Sequence, residues 1–254
     1  MEKSNQLKEI AAHLFAQRGA RPPISDLPNS LKLASQEESL LVQQQMIALN
    51  HQQVFGWKCL LPLKGGEIIL APILRQPQGL QRPCQLKVEN NTALVEPEIA
   101  FVLGQDLPEN VEYNRIEIDN AVSATYMALE LIQERFSCHY QASHFEKLAD
   151  GLSNQGLLIG PEIAKEKAYQ ASEIAIAVTQ GTQQITKPGK HPCRYPQEPL
   201  YWAVNYLSAL GVRLKAGQVF ITGSYCGVLN VATDIDTHIE YAGLGDYTIK
   251  FASL

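Results

Sequence analysis

Along the first fifty positions apolar residues recur at spacings of three and four, and beyond them they gather into short alternating or continuous runs. Leu7, Ile10, Ala11, Leu14 and Phe15 share one face of a helix over residues 3–17, and Gly19 suits a left-handed stop after it. Past the turn-rich stretch RPPISDLPNS, Ser35 with Glu38 three residues later has the form of a capping box, which predicts a second helix running to Leu49. From residue 54 the texture is β-rich: VFGWKCLL, EIILAPIL, TALVEPEIAFVLG, GLLIG, EIAIAVTQ, QVFITGS and YTIKF are set apart by glycine and proline. One more helix is expected over roughly residues 119–128. Strands and helices do not alternate regularly, which disfavours a doubly wound parallel sheet and favours an α+β or mostly β architecture. The expected organisation is a helical N-terminal region, residues 1–50, packed on a β-rich body, residues 51–254.

Composition narrows the function. The 254 residues are enough to bury a real core, and 21 Lys and Arg against 26 Asp and Glu give a net charge of -5. No basic field of the kind that binds nucleic acid is present, so an anionic substrate needs local positive charge. The five cysteines (Cys59, Cys84, Cys138, Cys193, Cys226) are odd in number and form no CxxC pair, which argues against a disulfide framework and a cysteine zinc site. No run approaches the ~20 apolar residues of a membrane span. A soluble, cytoplasmic protein is expected.

The stretch LVEPEIAFVLG sets Glu96 and Glu98 inside an otherwise buried-looking strand. Strand side chains alternate, so Leu94, Glu96, Glu98, Ala100 and Val102 share one face. Either the glutamates point into water, or they form a carboxylate pair facing a cavity. Two buried anions so close together are unfavourable unless a cation sits between them, and a divalent metal with a preference for oxygen ligands supplies one. Glu130 is the charged exception in the apolar run YMALELIQERF. It is either a third carboxylate for that cavity or a solvated residue at a helix end.

VEPEIAFVLGQDLP, ALELIQERF, LADGLSNQGLLIG, LKAGQVFITGS and AGLGDYTIKF follow one another in an order and at a spacing that resemble the 2-hydroxypenta-2,4-dienoate (2-keto-4-pentenoate) hydratase and 4-oxalocrotonate decarboxylase group of the fumarylacetoacetate hydrolase superfamily. The likeness runs from the second helix to the C-terminus, and EPEIAFVLG is its most specific block. It implies a mixed β-roll body with a helical N-terminal part, a bound Mg2+ or Mn2+, small 2-oxo or 2-hydroxy acid substrates and a homo-oligomer. By position Glu96, Glu98 and Glu130 correspond to the metal ligands. Lys58, in FGWKCLL, stands where the group carries an active-site lysine. Asp150 is a candidate to orient Lys58 or a water, though an Asp-Gly turn explains it equally well. Ser153 and Asn154 in one glycine-rich loop, and Ser224 in another, are candidates to hold the substrate.

The chemistry expected is hydration: a 2-hydroxydienoate ketonises, water adds at the far end of the chain, the metal stabilises the dienolate charge, and Lys58 serves as acid/base. A decarboxylase needs the same electron sink without the attacking water. Hydrolysis of a carbon–carbon bond in an acylpyruvate calls for a water-activating His/Glu pair, and no H-x-x-E spacing occurs. A catalytically silent family member is the remaining alternative. One departure from the group's pattern stands out: between Lys58 and Glu89 the sole acid is Glu67, in a Gly-Gly turn that looks solvated. One wall of the pocket is therefore expected to be less polar.

Overall fold

Two helices lead the chain in the computed structural model, which describes residues 2–19, 27 and 32–254. α1 spans Glu2–Gln17 and α2 spans Gln36–Leu49. The expected turns in RPPISDLPNS lie, apart from Leu27, outside the described residues. Arg18 and Gly19 close α1 by donating to the carbonyls of Phe15 and Ala16, and Gly19 stays out of the left-handed region, so a plain turn replaces the expected stop. Half of the expected capping box forms at α2. Ser35 Oγ accepts the Glu38 N–H at 3.2 Å, but the Glu38 carboxylate accepts from Ala34, one residue earlier than the box requires, at 2.8 Å.

The body opens with β1 (Gly56–Leu60), β2 (Ile69–Ile73), β3 (Cys84–Leu86) and β4 (Thr92–Leu103), followed by α3 (Arg115–Ala121) and β5 (Val122–Ile132). Next come α4 (His144–Asp150), β6 (Asn154–Ile163), α5 (Lys165–Gln170), β7 (Ile176–Gln180), β8 (Gln183–Lys187) and α6 (Glu198–Ala209). β9 (Val219–Ile221), β10 (Leu229–Ala232), β11 (Asp236–Tyr241) and β12 (Gly245–Ser253) complete it. The helix expected over residues 119–128 is corrected: α3 ends at Ala121 and a strand takes over at Val122. β5 lies between β4 and β6 in the sheet, and both of its side-chain faces are buried from Met127 to Ile132, so it has no clean alternation to read.

Two mixed sheets result, an α+β fold as expected. One runs β2-β1-β9-β4-β5-β6 with β10 also on β4; the other runs β3-β12-β11-β7-β8. The β1–β9 and β3–β12 pairs are parallel and the rest antiparallel. Val95, Ile99 and Phe101 of β4, with Met127, Leu129 and Leu131 of β5, are buried in the main core. Each large apolar side chain buried there is worth on the order of 1.5–3 kcal/mol. Tyr241 carries the second sheet onto this face by donating to the Ala128 carbonyl at 2.6 Å. The alternate residues, Glu96, Glu98 and Glu130, are thereby turned to the other face, where Ala100, Ala128 and Ile221 form a smaller apolar cluster. Gln43, buried in α2, holds the helical part against the body by donating to the carbonyls of Leu70 on β2 and Leu148 on α4 at 2.9 and 2.6 Å. Among the described residues no helix is long and apolar enough to cross a membrane.

Candidate active site

The register of β4 on β5 sets Glu96 directly opposite Glu130 and Glu98 opposite Ala128. Residues paired this way across antiparallel strands share a face with their Cβ atoms roughly 5 Å apart. With Glu98 two residues along from Glu96, the three acids form a triangle whose nearest carboxylate oxygens lie within 4.8 Å of one another. Glu98 and Glu130 are buried, and Glu96 is half-buried.

Burial and crowding of like charge oppose ionisation of Glu96 and Glu98. Burial first, and then the charge of Glu130, push the Glu96 carboxyl up to about 7. Burial, Glu130 and Glu96 hold Glu98 well above the ordinary carboxylate range. The surroundings offset this only in part. The Gly223 N–H donates to Glu98 Oε2 at 2.6 Å. Lys58 Nζ lies 2.8 Å from Glu130 Oε1, and the Asn154 amide donates to that same oxygen at 2.9 Å. Among the described residues Glu130 Oε2 is buried with no hydrogen-bond partner. Three hard oxygen donors around a deficit of positive charge suit a magnesium-like or manganese-like dication, so the residues present fit such an ion.

Lys58 comes from β1, and its ammonium also donates to the Leu152 carbonyl at 3.2 Å. Burial acts to lower its pKa, but the charges of Glu130, Glu96 and Glu98 outweigh burial and raise it, so Lys58 rests protonated. The Leu152 carbonyl is delivered by an unusual turn in which Gly151, Leu152 and Ser153 all have positive φ, at 88, 54 and 62°. Two such non-glycine residues in succession cost on the order of 1–3 kcal/mol each. Asp150 stabilises the turn by accepting the Ser153 N–H at 3.3 Å.

Four candidates need separate placement. Asp150 does not orient Lys58: its two oxygens accept from Arg135 Nε and Nη2 at 2.6 and 2.8 Å in a pair whose side chains are each 1% exposed. Ser153 does not line the pocket around the glutamates, and Asn154 reaches Glu130 instead of open space. Ser224 does line the pocket, with its hydroxyl 3.4 and 3.3 Å from the carbonyls of Pro97 and Gly227. That pocket measures about 190 Å³, and its remaining walls are apolar at Leu60, Ile69, Pro192 and Ile221. Glu67 is exposed, in keeping with the expected missing polar wall. A larger cavity of about 710 Å³ opens between α2 and β1, but none of the three glutamates lines it. The Leu152 carbonyl, a backbone group, leaves no trace in the residue pattern. Arg135 did leave a faint signal, as a lone cation just after an apolar strand.

No protein-family model matches the chain. It is 26% identical over 165 residues to 2-oxo-hept-4-ene-1,7-dioate hydratase of Escherichia coli, an alignment covering 62% of this chain and 61% of that protein, about three fifths of the relative's length. It is 22% identical over 274 aligned positions to 2-keto-4-pentenoate hydratase of Paraburkholderia phymatum, which covers 99% of this chain and 100% of the relative. The structure of 4-oxalocrotonate decarboxylase from Pseudomonas putida G7, complexed with magnesium and adipate, matches with a TM-score of 0.79 over 98% of both chains at 15% identity. In sequence, therefore, the chain resembles 2-keto-4-pentenoate hydratase and related hydratases, and in fold it resembles 4-oxalocrotonate decarboxylase and a protein of the fumarylacetoacetate hydrolase family.

Proposed function

We propose that the protein is a divalent-metal-dependent hydro-lyase that adds water to a short 2-hydroxydienoate or 2-oxo-enoate. The observation that carries this reading is the triangle of Glu96, Glu98 and Glu130 facing Lys58 inside a cavity of about 190 Å³. The likeness to proteins named as hydratases supports it. Glu96, Glu98 and Glu130 would hold Mg2+ or Mn2+. When bound, such an ion supplies Lewis acidity, withdrawing electron density from a 2-oxo acid and making its enolate accessible.

The chain's own residues supply the rest. Lys58, charged and tethered by Glu130 and Leu152, is placed to pass a proton to or from the substrate carbon chain. The Leu60, Ile69 and Ile221 walls accept an apolar unsaturated tail and exclude bulk water around it. Ser224 offers a hydroxyl at the rim to a substrate oxygen or an incoming water. Gly223 and Asn154 fix the rotamers of Glu98 and Glu130 before any ligand arrives.

The test is to incubate the purified protein and Mg2+ or Mn2+ with 2-hydroxypentadienoate, 4-oxalocrotonate and an acylpyruvate in turn, following ultraviolet absorbance. Metal-dependent loss of the dienoate with formation of a hydrated 2-oxo acid is the expected result. Turnover of oxalocrotonate or acylpyruvate alone would replace hydration by decarboxylation or carbon–carbon hydrolysis. Metal binding without any turnover would mark a catalytically silent protein.

A further inference from the structure

A second cavity, of about 290 Å³, opens where the end of α1, the turn after β2 and the stretch after β3 come together. Arg18, Arg75 and Lys87 line it, one from each segment, and among the described residues no carboxylate side chain does. The chain as a whole is acidic, with a net charge of -5, so three converging cations are not the overflow of a basic surface.

Among the described residues none of the three cations forms an ion pair. Arg18 donates through Nη1 and Nη2 to the backbone carbonyls of Asn154 and Asp150 at 2.9 and 2.7 Å, and its Nε is buried with no partner among the described residues. The Asp150 carboxylate accepts from Arg135 through both oxygens and from the Ser153 N–H through one, while Arg18 reaches only the backbone carbonyl of that residue. Burial, followed by the charge of Arg135, lowers the Arg18 pKa to about 9. Among the described residues Lys87 Nζ reaches the Gly19 carbonyl alone, at 3.2 Å. Among the described residues Arg75 has no hydrogen bond or ion pair. The cavity is also held in shape. Gln155 accepts the Lys87 N–H at 2.7 Å and donates to the Lys87 carbonyl at 3.0 Å, which fixes the backbone from which that lysine projects.

Guanidinium forks and an ammonium around one hollow match the geometry of an oxyanion, and positive charge drawn away from water is relieved when an anion pairs with it. We propose that this cavity binds a compact, doubly charged oxyanion through Arg18, Arg75 and Lys87, at a site distinct from the three glutamates. The proposal does not depend on the reaction assigned above.

The test is calorimetric titration of the intact protein with inorganic phosphate, and in a separate arm with succinate, at fixed ionic strength balanced with chloride. One saturable site is expected, and Arg75→Gln and Lys87→Gln should each weaken it by about 10-fold, as befits loss of one charge-assisted contact. Tighter binding of phosphate identifies a phosphate group as the natural ligand chemistry, and tighter binding of succinate a short dicarboxylate; either result supports the site. Arg75 and Lys87 are both partly exposed, so the variants should fold, and thermal melts check this. The proposal is overturned if neither anion saturates, or if both variants bind as the wild type does, which would put the anion elsewhere, for example on a cation held by the glutamates.

Discussion

Lys58 and Glu130 meet at 2.8 Å although their strands, β1 and β5, are separated in the sheet by β9 and β4. Three strand spacings span roughly 14 Å in a flat sheet. The contact therefore requires that the sheet curl and that both side chains reach inward. This curl gathers the lysine-bearing strand next to the edge and the carboxylate-bearing centre around one cavity.

Replacing Lys58 by Met should leave metal binding intact and lower turnover by about 10²–10⁴-fold, the usual contribution of a positioned acid/base. Single-turnover kinetics beside manganese titration separates the two effects. A near-normal rate would move the proton-transfer role to another group.

Glu98→Gln removes one anionic ligand while keeping its shape. Manganese affinity should fall by about 100-fold or more, exceeding the losses seen when only outer partners of a ligand are removed. Turnover should fall with it and return in part at high metal concentration. Unchanged affinity in calorimetry would contradict the role given to the triangle.

Gly223 has φ +124°, and a Cβ there would lie 2.8 Å from Leu60 Cδ1 and 3.0 Å from Pro192 Cγ. Gly223→Ala should displace the loop and draw its N–H away from Glu98. Stability should drop by about 1–3 kcal/mol, and metal affinity by about 10-fold. Urea unfolding and metal titration measure the two losses independently.

Asp150→Asn leaves Arg135 charged, buried and without its anion. Breaking a buried pair in this way costs about 3–5 kcal/mol. Urea midpoints should show that loss, and converting Arg135 to Met in the same chain should recover part of it. A shift below 1 kcal/mol would mean that water reaches the guanidinium.

His191 gives a pH signature. Burial pushes its imidazole down to about 4, against an ordinary value near 6.5. Between those values the unfolded chain binds a proton that the folded one refuses, so the stability His191 contributes is complete above about pH 6.5 and is lost as the pH falls toward about 4. His191→Gln should flatten that part of the melting-temperature profile. An unaltered profile would assign the acid sensitivity to other groups.

The sequence made some of this legible and hid the rest for physical reasons. Glu96 and Glu98 could be read because two charges in an apolar alternating run contradict their surroundings. Glu130 stands out for the same reason, yet its strand does not, since β5 is buried on both faces over Met127–Ile132 and imitates a helix. The seven apolar strands from VFGWKCLL to YTIKF carried β-branched runs and appear as β1, β2, β4, β6, β7, β9 and β12. α6 was missed although Leu200, Ala203, Val204 and Leu207 are spaced for one buried helical face. α4 and α5 are seven and six residues long, too short for a period to show. Asp150 reads equally as an orienting group or as part of an Asp-Gly turn, and its partner, Arg135, is brought to it by tertiary folding, which no spacing announces.

The end of α1 does more than complete a helix. Arg18 grips the carbonyls of Asp150 and Asn154, the residues that bracket the strained turn offering its Leu152 oxygen to Lys58. A cut or deletion at the front of the polypeptide would thus be transmitted to the lysine ammonium. A version trimmed to its β-rich part would lose the clamp on that turn along with two helices.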